Sequence, residues 1–157
     1  MRVSLVDLRN PDHKTSLVEA DAPIVIVIGH GSPDSIGGFK AKTFPVLPSA
    51  QVVWFYACNC GKSLITEIAR RGVIAFGYIT SVLAPASVES SVASYIKICL
   101  EGYSGSLSPI PILSYVQELL FEKAFCLAQQ AMDQQNGLLL LQAALINHTR
   151  LSLRFAT

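Results

Sequence analysis

The sequence predicts an α/β domain built on a mostly parallel sheet. Three observations carry that prediction. Residues 23–29 read Pro-Ile-Val-Ile-Val-Ile-Gly, an all-apolar, β-branched run closed by glycine, the pattern of a strand buried on both faces. Residues 51–57 and 73–79 are two further runs of the same kind. Between them, Leu64, Ile65, Ile68 and Ala69 fall on one helical face of residues 62–70. Residues 51–79 therefore read strand, helix, strand, which implies a right-handed parallel crossover.

The remaining elements follow in order. Residues 1–10 alternate loosely through Val3, Leu5 and Leu8 and suggest a first strand. Residues 10–14, with Pro11, read as a turn. Residues 32–51 hold Pro33, Pro45 and Pro48 and read as loop, with a short hairpin turning at Gly37-Gly38. Gly72 is placed to end the helix over 62–70. After Pro85, Val88, Val92, Tyr95, Ile96, Cys99 and Leu100 recur at helical spacing until Gly102. A Ser/Gly/Pro loop over 102–111 comes next. Leu113, Val116, Leu120, Ala124, Leu127 and Ala131 then describe a long amphipathic helix ending near Asn136-Gly137. The tail reads two ways: residues 138–146 as helix, and Leu151, Leu153 and Phe155 as an alternating strand.

At 157 residues the chain fits a single domain. Apolar types make up 51% of it, charged types 15%, and mean hydropathy is +0.44, which excludes disorder as the dominant state. A net charge of +1 argues against a nucleic-acid binder, because such proteins cluster cations to displace counterions. A surface this poor in charge favours a covering partner chain or a homo-oligomer. No run approaches the roughly 18 apolar residues of a membrane span, and residues 1–10 lack a signal-peptide pattern. Cysteines at 58, 60, 99 and 126 are too sparse for a disulfide framework, so a reduced, cytoplasmic setting is expected.

In open parallel sheets, chemistry lies just beyond the carboxyl ends of the strands. One buried run ends in Gly29-His30-Gly31 and the next in Ala57-Cys58-Asn59-Cys60-Gly61. If these strands are neighbours, an imidazole and a thiol leave the same edge. A free thiol is mostly protonated at neutral pH, and an imidazole is its usual activator. The amides of Gly31 and Cys58 are candidate oxyanion donors, and the absent Cβ of Gly31 allows a close approach to substrate. The helix that follows Cys58 adds a positive potential if it begins near the sulfur. Cys60 reads as a neighbouring thiol able to trap Cys58 oxidatively. Cys-x-Cys has no second ligand pair with zinc-type spacing here, so no metal or other cofactor is expected.

The arrangement resembles the caspase-like superfamily of cysteine peptidases, in particular its CHAT-type branch. The shared parts are an apolar block (residues 24–28), His30-Gly31, a spacer, a second apolar block (residues 52–56) and Ala57-Cys58. Asn59 after the cysteine and the run Arg70-Arg71-Gly72-Val73-Ile74-Ala75 continue the likeness over about residues 22–100. The histidine stands only 28 residues before the cysteine, against roughly 50 in the caspase signature, and Tyr56 replaces its glutamine. The resemblance implies a three-layer caspase-like sandwich with helices flanking the sheet. It also implies a cysteine endopeptidase acting on a protein or peptide in bacterial signalling or defence, with Cys58 as nucleophile and His30 as general base. Many relatives cleave after a basic residue, and Asp34 and Glu89 are the candidate acidic partners for it. The alternatives are a caspase-like binding subunit without turnover and a sirohydrochlorin-type metal chelatase. The latter is suggested by Gly29-His30-Gly31-Ser32 with Asp34, and His148 is the only later histidine.

Overall fold

A computed structural model of the chain describes residues 1–82, 94, 96–130 and 149–155. Its centre is a five-stranded sheet of β1 (Val3–Asp7), β2 (Ile24–Ile28), β5 (Val52–Tyr56), β6 (Ile74–Tyr78) and β7 (Leu151–Arg154), in that spatial order. The first four strands are parallel and β7 is antiparallel to β6. A two-stranded hairpin of β3 (Ser35–Ile36) and β4 (Phe39–Lys40) stands apart from it. This is the mixed α/β class with a mostly parallel sheet.

All five residues of β2, of β5 and of β6 are buried. Strand alternation divides them between two cores. Val25, Val27, Val53, Phe55 and Ala75 face a core with Leu17 of α1 (Lys14–Val18), the 36–50 segment, and Leu64, Ile65 and Ile68 of α2 (Ser63–Ala69). Ile24, Ile26, Ile28, Trp54, Tyr56, Phe76 and Tyr78 face a second core. That one includes Ile96 and Leu100 from a helical stretch over 96–101, and Ile112 and Val116 from α3 (Pro109–Gln130). A strand with one apolar face needs cover on one side only, so the continuous apolar runs of β2, β5 and β6 follow from cover on both.

Several local expectations meet the structure directly. Gly37 and Gly38 have φ of 54° and 86° at the tip of the β3–β4 hairpin, the double left-handed geometry of a two-residue hairpin turn. Gly72, at φ 88°, follows the end of α2. The 10–14 turn is instead a 3-10 turn (Pro11–His13) leading into α1, a short helix whose one buried residue is Leu17. Five residues with one apolar anchor leave no periodicity to read. α3 begins at Pro109, inside the stretch read as loop, because proline is well tolerated in a first helical turn. The tail's alternating end is a strand over Leu151–Arg154, whereas residues 138–146 lie outside the described residues. Of the helix read after Pro85, only residue 94 and residues 96–101 are described, and they are helical. Among the described residues, no helix is long and apolar enough to cross a membrane.

The β5–α2 corner is pressed onto β6 without room for side chains. A Cβ on Gly61 would stand 2.6 Å from the carbonyl oxygen of Gly77, and one on Gly77 would stand 2.8 Å from Ile65 Cγ2 and 3.0 Å from the Gly61 nitrogen. The Gly61 N–H donates to the Tyr78 carbonyl at 2.8 Å. Gly61→Ala is therefore expected to cost about 2 kcal/mol or more by overpacking against rigid backbone. Urea unfolding would show this as a lower midpoint with an unchanged slope.

Candidate functional site

The parallel register of β2 and β5 sets the site. Ile28 lies opposite Tyr56, and two residues further along each chain stand His30 and Cys58. The two strand ends meet closely. A Cβ on Gly31 would fall 2.2 Å from the Cys58 carbonyl oxygen, 2.9 Å from Ala57 Cβ and 3.1 Å from the Cys58 nitrogen. Gly31 is thus laid against the peptide that carries Cys58, and only a residue without a side chain fits there.

The loop after His30 is short and closed on itself. Gly37 N–H donates to the His30 carbonyl at 3.0 Å and Ser32 N–H to the Ser35 carbonyl at 2.9 Å, which frames the isolated bridge between Gly31 and Ile36. Ile36 is fully buried and anchors the loop. The same loop docks on α2, where the Ser63 and Leu64 amides donate to the Pro33 carbonyl at 3.0 and 2.8 Å. Those amides are spent on Pro33, and α2 begins five residues after Cys58.

The turn after β5 is equally fixed. Asn59 takes φ 59°, a left-handed conformation that asparagine tolerates better than most residues. Its N–H donates to the Thr80 carbonyl at 2.9 Å. The Val82 N–H donates to the Cys58 sulfur at 3.3 Å. Cys58 is half-buried and the His30 side chain is exposed. Among the described residues, neither the Gly31 nor the Cys58 N–H has a hydrogen-bond partner.

The other sequence candidates separate from this pair. Asp34 is exposed on the loop that begins at His30, and accepts a hydrogen bond from Ser32 Oγ at 2.9 Å. Glu89 lies outside the described residues, as does His148. Among the described residues, no three His, Cys, Asp or Glu side chains cluster as a metal site would require. Cys60 is fully buried, and its thiol donates to the Ala57 carbonyl at 3.1 Å. Burial pushes that thiol up to about 12 from its usual 9.0, which keeps it protonated and a poor partner for oxidative trapping. A cavity of about 50 Å³ is lined by Phe44, Leu47, Val53, Ile68, Arg71 and Val73. Val53 and Val73 belong to the opposite strand ends, so this cavity is not part of the Cys58 edge.

The sequence reading missed two contributors. Val82 acts through its backbone N–H, which no side-chain pattern reports. Arg150, whose guanidinium donates to the Ser81 carbonyl at 2.9 Å, lies in a tail whose fold the spacing left open. The chain matches no family model, no curated protein and no solved structure. The site is therefore read from its own residues.

Two predictions follow from this geometry. Gly31→Ala should force the strand ends apart and change the rate at which iodoacetamide labels Cys58, while a fold-level probe such as far-UV circular dichroism stays near wild type. The second concerns alkali. The buried Cys60 thiol holds its proton to about pH 12, whereas in the unfolded chain it loses it near 9.0. The buried Tyr78 phenol is displaced upward for the same reason, with Tyr56 adding to the effect. Unfolding then releases protons, so stability is full below about pH 9 and falls as pH rises toward 12. Urea midpoints measured across that window should decline, and less steeply in Cys60→Ala.

Proposed function

We propose that this protein is a cysteine hydrolase of the caspase-like kind, cleaving peptide bonds with Cys58 as nucleophile and His30 as acid and base. The observation that carries this reading is the packing of Gly31 against the Cys58 peptide. It brings the backbones that bear an imidazole and a thiol to one edge of the sheet, beside two amides that have no partner among the described residues.

In the reaction so envisaged, His30 takes the Cys58 proton and the sulfur attacks the substrate carbonyl carbon. The developing oxyanion is held by the Gly31 and Cys58 N–H groups, a contribution of about 3 kcal/mol where such donors are lost. The C–N bond breaks, His30 protonates the leaving amine, and a Cys58 thioester remains. Water, deprotonated by His30, attacks the thioester, the C–S bond breaks, and the thiol is restored. Proton transfer of this kind is worth about 10²- to 10⁴-fold in rate. Nucleophile and base are both side chains, so the chemistry uses no cofactor. Asp34, exposed on the His30 loop, is the acidic group we assign to a basic side chain next to the scissile bond.

A second reading is a subunit that binds a protein partner or a second copy without turnover. Ile98 and Ile110 favour it, at 62% and 75% exposure on the helical layer.

A peptide-library cleavage assay decides between them. Wild type should cleave, with and without added partner chains; Cys58→Ala should be inactive; and His30→Ala should lose about 10²-fold or more. Cleavage that survives in Cys58→Ala would remove the mechanism, and absence of cleavage in every wild-type sample would favour the binding subunit.

A further inference from the structure

The Cys58 sulfur has a donor that the cysteine–histidine scheme does not use. Val82 N–H points at it at 3.3 Å. That N–H belongs to the peptide unit joining Ser81 to Val82, and the carbonyl of the same unit accepts from the Arg150 guanidinium at 2.9 Å. Arg150 is itself fixed beside the end of β6, because Ile79 N–H donates to the Arg150 carbonyl at 2.9 Å and Tyr78 pairs with Leu151. Asn59 N–H on the Thr80 carbonyl ties the Cys58 turn to the same segment. A cation at one end of a peptide unit thus faces a sulfur at the other.

We propose that Arg150 is a positioning residue for Cys58, holding and polarising the Ser81 to Val82 peptide so that its N–H favours the thiolate. An amide is a conjugated unit. A cation on its oxygen draws charge from the nitrogen and strengthens the N–H as a donor. A donor to sulfur stabilises the charged form over the neutral one. Arginine suits the position because its charge persists at every pH the protein meets. Among the described residues, the titratable groups nearest Cys58 in sequence and strand register are His30 on the adjoining strand end, Cys60 two residues on, Tyr56 and Tyr78 at the ends of β5 and β6, and Lys62 before α2. The Val82 N–H is a donor that none of their ionisations removes. The inference rests on reading Cys58 as the reactive thiol, but it concerns the state of that thiol and not the bond it cleaves.

The test is iodoacetamide labelling of the full chain from pH 5 to 10, with rates at Cys58 and Cys60 resolved by peptide mass mapping. Arg150→Gln should raise the pH of half-maximal Cys58 labelling by about half a unit. Val82→Pro, which deletes the N–H, should raise it by about one unit, the scale of one charge-assisted hydrogen bond. Cys60 is the internal control, since buried it labels only if the fold opens. A Cys58 profile unmoved in Arg150→Gln overturns the proposal, as does a shift seen only where Cys60 has become reactive. If Val82→Pro does not fold, Arg150→Gln decides alone. A shifted profile in a protein that cleaves no peptide would leave this inference standing and remove the peptidase reading; cleavage with an unmoved profile would do the reverse.

Discussion

The parallel pairing of β2 with β5 is the constraint on which the rest depends. Its register fixes Ile28 opposite Tyr56, and His30 and Cys58 each stand two residues beyond that pair. Parallel strands of this kind are stable only when both faces are covered, and here each face has its own core. The two cores hold the strands from either side, so the strand ends have little freedom to slide. A slip of one residue would exchange the faces of Ile28 and Tyr56 and carry His30 and Cys58 out of alignment. The same burial that makes the sheet stable therefore makes the site a fixed one.

Beyond the strand ends, the backbone rather than the side chains does most of the positioning. Gly31 lies on the Cys58 peptide, Gly61 lies on the Gly77 carbonyl, and Pro33 caps the start of α2 through its carbonyl. Each contact is made of groups common to every residue. What the sequence contributes is the omission of a side chain where one would collide, together with Asn59 where the chain must turn left-handed. A polar framework of this kind spends its donors within the loops, and among the described residues the Gly31 and Cys58 amides have no partner.

Much of this was legible in the residues. The apolar runs of β2, β5 and β6, the face of α2 and the Gly37-Gly38 turn are strong periodic or conformational signals, and each falls where the spacing puts it. That the strands leading to His30 and Cys58 are parallel neighbours is consistent with two buried runs of like direction. What escaped has physical reasons. α1 is too short to show a period. The Pro33 carbonyl, the Val82 amide and the Arg150 bridge to Ser81 are non-local backbone contacts, with no residue-type signature of their own. The inertness of Cys60 could not be read from a Cys-x-Cys spacing, because it comes from an orientation into the core that only the turn at Asn59 determines.

The hairpin tip at Gly38 has a different standing from the corner at Gly61. A Cβ at Gly38 would meet nothing nearer than Lys14 Nζ at 3.7 Å, whereas at Gly61 it would meet backbone at 2.6 Å. Space closes the Gly61 corner to any side chain, whereas at Gly38 it is the positive φ of 86° that reserves the position for glycine. A loop of another length could reset the backbone conformation at the tip, whereas no such change makes room for a side chain at Gly61.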